Sequence, residues 1–210
     1  MTARCTLVFD LGGVVVQWQP LALLQQMLPA QAPDEAHAKV AAAAIFQAHA
    51  PDADWSLFDR GRIEPEALAA RIAARTGYPL AALRALIAAI PAHLAPIPDS
   101  VALLERVRAA GHRLALLSNM PAPFASHLEV QHPCFDWFEA RVFSGRVGWI
   151  KPEREIFDHA REALALDLER SLFIDDHPAN VDAARALGWP ALRFEDAAQC
   201  EAALRGAGWL

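Results

Sequence analysis

Hydrophobic and polar positions along the chain follow two different rhythms. The first apolar run, Leu7-Val8-Phe9, ends at Asp10 and passes at once into Leu11-Gly12-Gly13-Val14. A short apolar run closed by a carboxylate and paired glycines predicts a buried strand that opens into a loop. Beyond it the spacing of apolar residues turns to three and four, predicting helices over residues 21–28, 35–48, 65–76 and 80–90. Pro29, Pro33, Pro51, Gly61, Gly77-Tyr78-Pro79 and Pro91 punctuate them.

From Asp99 onward helix and strand alternate. Asp99 is the expected N-cap of a helix over 100–110 that Gly111 closes, and a strand over 113–117 follows. A helical segment near 124–128, a strand near 140–143, a helix over 153–164 and a strand over 171–174 come next. A helix over 178–187 ending at Gly188, a short strand over 191–194 and a helix over 197–205 complete the pattern. Such alternation implies right-handed crossovers and a parallel sheet covered on both faces. The expected fold is α/β, a Rossmann-like doubly wound sheet, with the helical stretch inserted as a cap. That divides the chain into a discontinuous core, 1–16 and 97–210, and an all-helical cap, 17–96. Both crossings leave from or return near strand C-terminal ends, so the cap is expected over the ligand edge.

Composition narrows the partners. The 210 residues are 54% hydrophobic and 21% charged with net charge −6, enough apolar material for a core plus an insertion, and no basic cluster occurs. Nucleic acid and anionic lipid therefore lack an electrostatic footprint to bind. The most apolar long stretch, 80–98, carries Arg84 and His93 and is cut by three prolines, which excludes a membrane span. Met1 to Cys5 leads straight into the first strand with no charged-then-apolar leader, so a cytoplasmic protein is expected. Cys5, Cys134 and Cys200 are odd in number and widely spaced, and read as reduced packing residues.

Polar residues fall at corresponding places in the alternation. Asp10 ends the first strand, Ser118-Asn119 the second and Asp175-Asp176 the fourth, while Lys151-Pro152 opens the helix after the third. Each has an ordinary reading: a turn, a surface lysine before a helix-starting proline, an N-cap pair. Taken together they share one edge of a parallel sheet and can converge on one pocket. Clustered carboxylates repel unless a cation intervenes, and an oxygen-rich acidic site suits Mg²⁺, which keeps waters and accepts substrate phosphate.

These residues carry a resemblance to the haloacid dehalogenase-like hydrolase superfamily. Its four motifs are matched by Phe9-Asp10-Leu11-Gly12-Gly13-Val14, Leu117-Ser118-Asn119, Lys151-Pro152 and Phe173-Ile174-Asp175-Asp176-His177-Pro178-Ala179-Asn180. The chain looks most like the branch that includes the bacterial alpha-glucose-1-phosphate phosphatase. The resemblance implies a Mg²⁺-dependent phosphatase acting on a small phosphorylated metabolite, a sugar phosphate by that branch. It implies Asp10 as nucleophile, Ser118 and Asn119 on the phosphoryl oxygens, and Lys151 neutralising the transferring group. Asp10, the Gly12 carbonyl and Asp176 would bind Mg²⁺, with Asp175 either in the metal site or orienting Lys151. A monomer or homodimer is expected.

Gly12 departs from the family pattern. Relatives that hydrolyse phosphates usually carry there a second aspartate serving as general acid and base, which this chain lacks. His177 reads as a cap or packing residue rather than its replacement. Among the cap residues Trp18, Phe46, Trp55 and Phe58 are expected to pack the helical bundle. Arg60, in the loop Asp59-Arg60-Gly61-Arg62, is expected to reach substrate. Two competing readings are a metal-free 2-haloacid dehalogenase, whose relatives usually replace the acidic pair, and a phospholigand-binding protein without turnover.

Overall fold

A computed structural model describes residues 4–47, 50 and 52–210. The expected helix end at Ala48 and the break at Pro51 lie outside the described residues.

Strand β1 (Thr6–Phe9) is followed by five helices: α1 (Pro20–Met27), α2 (Glu35–Phe46), α3 (Asp54–Asp59), α4 (Pro65–Thr76) and α5 (Leu80–His93). The alternating part then runs α6 (Pro98–Ala109), β2 (Arg113–Ser118), α7 (Ala122–Gln131), β3 (Phe138–Phe143), α8 (Ser144–Val147) and α9 (Arg154–Ala163). It ends with β4 (Ser171–Asp175), α10 (Pro178–Ala186), β5 (Ala191–Arg193) and α11 (Ala197–Gly206).

The five strands form one parallel sheet in the order β3-β2-β1-β4-β5, with β1 central. Alternation along each strand sorts side chains to two faces. Leu7 and Phe9, Leu114 and Leu116, and Ile174 enter one apolar cluster, which continues into the inserted helices and α6. Val8, Ala115, Leu117 and Phe173 enter the other, with Ile156 and Phe157 of α9 and Trp189. Because both faces are covered, β1 is apolar throughout instead of alternating.

The insertion leaves and returns through neighbouring backbone. Gln17 N–H donates to Ala95 O at 2.8 Å, and Ile97 N–H donates to Val15 O at 2.9 Å. The two crossings are thus zipped together immediately beyond the C-terminal end of β1, which puts the helical block on the ligand edge.

Several boundaries differ from expectation. Asp99 does not cap α6: the helix begins at Pro98 with Ile97 at its N-cap, and Asp99 lies in the first turn, where its charge suits the helix dipole. Pro91 lies inside α5, whose end falls three residues later than the proline signal implied. Helix α3 was not foreseen, because six residues are too few to display a helical period.

The turn after α3 is the seam between insertion and core. Gly61 sits at φ +68° with its backbone so close to Gly145 O that a Cβ there would lie 2.4 Å from that oxygen. The Ser144 hydroxyl donates to Asp59 O at 2.6 Å and accepts from Met120 N–H at 2.9 Å, joining the end of α3, the loop after β2 and the start of α8 at one point.

Arg60 completes this seam. Its guanidinium forms a two-pronged ion pair with Glu153, one contact at 2.6 Å, and both side chains are largely buried. The expectation that Arg60 touches substrate is therefore corrected: it spans insertion and core and is not among the residues that line the cavity. Arg60→Ala is expected to cost about 1.5–3 kcal/mol, as for a hydrogen bond between charged groups. Urea denaturation checks this. A variant of unchanged stability but altered KM would restore the substrate role.

Candidate active site

Asp10 follows β1 directly, and its N–H donates to Ile174 O at 2.9 Å, so the pairing with β4 continues as far as the carboxylate. On the other side of β4's end, Asp175 is fully buried. Lys151 lies between the two. Its ammonium is 2.8 Å from Asp10 Oδ1 and 2.6 Å from Asp175 Oδ2, and donates to Leu117 O at 2.9 Å. Three donors meet three oxygens, which is the full capacity of an ammonium. The Phe173 ring lies 5.4 Å from the same nitrogen.

A second set of bonds fixes Lys151. The Asn119 side chain accepts from Lys151 N–H at 2.7 Å and donates to Lys151 O at 2.9 Å, next to the cis Lys151–Pro152 peptide. This pairing takes up Asn119 Oδ1 and one of its two Nδ2 hydrogens, while Asn119 still lines the cavity where phosphoryl oxygens are expected. Ser118, buried at the end of β2, lines the cavity.

Asp175 is likewise committed. Oδ1 accepts from His177 N–H at 2.8 Å and from Asn180 Nδ2 at 3.1 Å, while Oδ2 accepts from Lys151 and Asn180. Of its two expected roles the geometry favours orienting Lys151. Neither acid caps α10, where His177 holds the N-cap position without a side-chain bond. Asn180 has a role that the sequence pattern does not assign: its amide holds both Asp175 oxygens. Its signal was present: an amide one helical turn beyond an acidic pair can reach back to it.

Charge is concentrated in little space. One carboxylate oxygen each from Asp10, Asp175 and Asp176 lie within 4.8 Å of one another. Burial pushes the Asp10 carboxyl up to about 6 against the lowering effect of Lys151, with Asp175 adding to the rise. Burial also raises Asp176, helped by Asp175. For Lys151 burial disfavours the charge, but Asp10 and Asp175 outweigh it and raise its pKa.

The residues present fit a divalent cation. Gly13, at φ +76°, has the Asp176 carboxylate where a side chain would stand, since a Cβ would lie 2.6 Å from Asp176 Oδ2. That carboxylate reaches over the loop only because residue 13 has no side chain. Asp10, Asp176 and the Gly12 carbonyl are hard oxygen donors of the kind Mg²⁺ selects.

These groups open into a cavity of about 390 Å³ between core and insertion. Asp10, Gly12, Ser118, Asn119, Lys151, Asp176, His177 and Asn180 line its polar end; Trp18, Trp55, Ile90, Leu94, Met120 and Phe124 line the rest, together with Asp59. Trp18, Phe46, Trp55, Phe58 and Phe124 form a continuous edge-to-face series with centroid separations of 5.6, 4.6, 5.8 and 5.3 Å. The aromatics do pack the helices as expected, yet Trp18 and Trp55 also face the cavity. Asp59, which the sequence pattern places only in a loop, ends α3; an acid directly after the apolar residues Trp55, Leu57 and Phe58 is the signal that marks it.

The chain is similar to several known proteins. A sesquiterpene phosphatase of Aspergillus oryzae, astK, is 26% identical over 189 residues, 90% of this chain and 89% of that one. The crystal structure of a haloacid dehalogenase family enzyme from Bacteroides thetaiotaomicron, in complex with magnesium and inorganic phosphate, aligns with TM-score 0.69 at 21% identity. It covers 92% of this chain and 95% of that one. L-2-haloacid dehalogenase from Xanthobacter autotrophicus aligns with TM-score 0.67 at 18% identity, covering 91% and 77%. Both structural likenesses are of fold. The haloacid dehalogenase-like hydrolase family model matches residues 6–188, which contain β1 to β4 and all the residues of the polar end. With the lysine-centred carboxylates where β1 and β4 end and the family match running across both, the chain belongs to the haloacid dehalogenase-like hydrolases.

Proposed function

We propose that this hydrolase is a Mg²⁺-dependent phosphatase that cleaves a small phosphorylated metabolite through an aspartyl-phosphate at Asp10. The observation that carries the reading is Lys151, held by Asp175, Asn119 and Leu117 O so that its ammonium lies against Asp10 Oδ1. With Oδ1 engaged, Oδ2 is the atom left to attack phosphorus, a covalent route open to a carboxylate. Ser118 donates to a phosphoryl oxygen, and Lys151 offsets the charge gathered between nucleophile and phosphate. Asp10, Asp176 and the Gly12 carbonyl would hold Mg²⁺, which supplies charge neutralisation of the transferring phosphoryl group. The P–O bond to the alcohol breaks as the Asp10–phosphorus bond forms, and water later releases phosphate and restores Asp10. With glycine at residue 12, the leaving oxygen has no carboxyl there to give it a proton. The core, 1–16 and 97–210, carries this chemistry, and the helical cap, 17–96, closes over it.

The sugar-phosphate expectation came from the resemblance to one branch. The cavity beyond the phosphate end, with its apolar wall, gives it no support.

Phosphate release from acetyl phosphate and p-nitrophenyl phosphate, with Mg²⁺ and with EDTA, tests the reading. Release that requires Mg²⁺ is expected. Chloride release from 2-chloropropionate persisting in EDTA would favour a dehalogenase instead, and ligand binding without any turnover would favour a phospholigand-binding protein.

Metal binding is expected to show in stability as well. Raised carboxyl pKa values mean that the folded, metal-free chain binds protons more tightly than the unfolded one. Its stability should therefore fall as pH rises from the ordinary carboxyl value of 3.8 to about 6. Mg²⁺ competes with those protons, so its stabilisation should be small at pH 5 and full at pH 7.5. At a hundredfold excess over Kd it amounts to about 2.7 kcal/mol. Thermal melts with Mg²⁺ or EDTA at both pH values check this, and Asp176→Asn should abolish most of the difference. A metal effect equal at both pH values would count against ligation by Asp10.

A further inference from the structure

The cavity wall facing the phosphate end is built from Trp18, Trp55, Ile90, Leu94, Met120 and Phe124. Five of the six are at least 95% buried, the exception being Trp18, so the wall is formed by side chains already packed into the apolar core. Among the described residues the one ionisable group in this wall is Asp59. Its carboxyl takes part in no hydrogen bond among the described residues; the charge that acts on it is Arg60, whose guanidinium is taken up by Glu153.

We propose that the substrate is the phosphate monoester of an apolar alcohol, its hydrocarbon group seated against Trp18, Trp55, Leu94 and Phe124, with Asp59 as the single polar contact beyond the phosphate. A sugar would bury several hydroxyls against this wall, and each needs a partner. One carboxyl cannot supply them. Burial pushes the Asp59 carboxyl well above the usual carboxylate range, against the lowering effect of Arg60, and so disfavours its charged form. A hydrocarbon needs no partner and gains from each methylene removed from water. This inference rests on the phosphatase reading for its phosphate end alone.

The test uses a ladder of n-alkylphosphonates, from methyl to octyl, bound to the Mg²⁺-loaded wild-type protein and followed by calorimetry. The polar head is constant and no turnover is needed. Affinity is expected to rise roughly fourfold per methylene until the wall is covered. The corresponding alkyl phosphates should be hydrolysed with kcat/KM at least tenfold above glycerol and hexose phosphates. Affinity that is flat along the ladder, or sugar phosphates preferred over alkyl phosphates, overturns the proposal. Failure of the phosphatase reading looks different: phosphonates bind with chain-length dependence but no phosphate is released from any ester. Leu94→Gln should flatten the ladder while leaving the affinity for methylphosphonate near that of wild type. Asp59→Asn, which keeps the shape of the side chain and leaves the apolar wall intact, should preserve the ladder, and loss of chain-length dependence in that variant would also count against the wall as drawn.

Discussion

Asp10→Asn is expected to remove turnover, by a factor on the order of 10⁴–10⁶ if the residue is the nucleophile. The amide keeps the shape of the side chain. It cannot form the acyl phosphate at a useful rate, and it offers a metal one neutral oxygen in place of a carboxylate. The fold should survive, because a carboxyl whose pKa burial has raised to about 6 is not ionised for the sake of stability. Circular dichroism and urea denaturation separate the two effects. Trapping radiolabelled phosphate on the wild-type protein after acid quench, and not on the variant, completes the test. A variant turning over at a rate comparable to the parent would remove Asp10 from the nucleophile's place.

Lys151→Met is expected to have the largest effect on stability. Lys151 is buried between Asp10 and Asp175, and its removal leaves carboxylates in a low-dielectric site without their cation. Breaking such a buried set by deleting one partner typically costs about 3–5 kcal/mol. The deficit should depend on pH in a fixed direction. Asp10 loses the cation that lowers its pKa, so the variant recovers stability as pH falls and Asp10 takes up a proton, and loses it as pH rises. Urea denaturation of metal-free protein at pH 5 and pH 7.5 measures this. A deficit equal at both would mean that lost packing, including the contact with Phe173, outweighs charge. Phosphatase activity should be lost with either outcome, since among the described residues no other cationic side chain forms an ion pair with the attacking carboxylate.

The sequence was most informative where one residue type has one physical use. The unbroken apolar run before Asp10 could only be a strand covered on both faces, and it is the centre of the sheet. Polar residues at successive strand ends had to share an edge, because parallel strands place their C-terminal ends together. Asp10, Ser118, Lys151, Asp175 and Asp176 do lie there. Helices α1, α2 and α4 were legible from their spacing and from the proline and glycine breaks. Helix α3 was not, because its six residues obtain their stability from tertiary contacts at Ser144 and Gly145 rather than from a pattern of their own.

What the side chains at the site do was decided by tertiary structure. An amide after a strand can hold a ligand or a neighbouring backbone, and it is the approach of Lys151 that gives the Asn119 side chain its two bonds to the Lys151 backbone. Arg60 beside a glycine turn can face solvent, substrate or an acid, and the seam brings Glu153, 93 residues away, to meet it. Trp18 and Trp55 pack among the inserted helices as their pattern implies, and only the fold also places them, with Asp59, on the cavity. The cause is common to all three. Residue type and spacing fix secondary structure and the side of a sheet through local sterics and burial. The partner of a long polar or aromatic side chain depends on which distant segments packing brings within a few ångströms, and one sequence does not encode that locally.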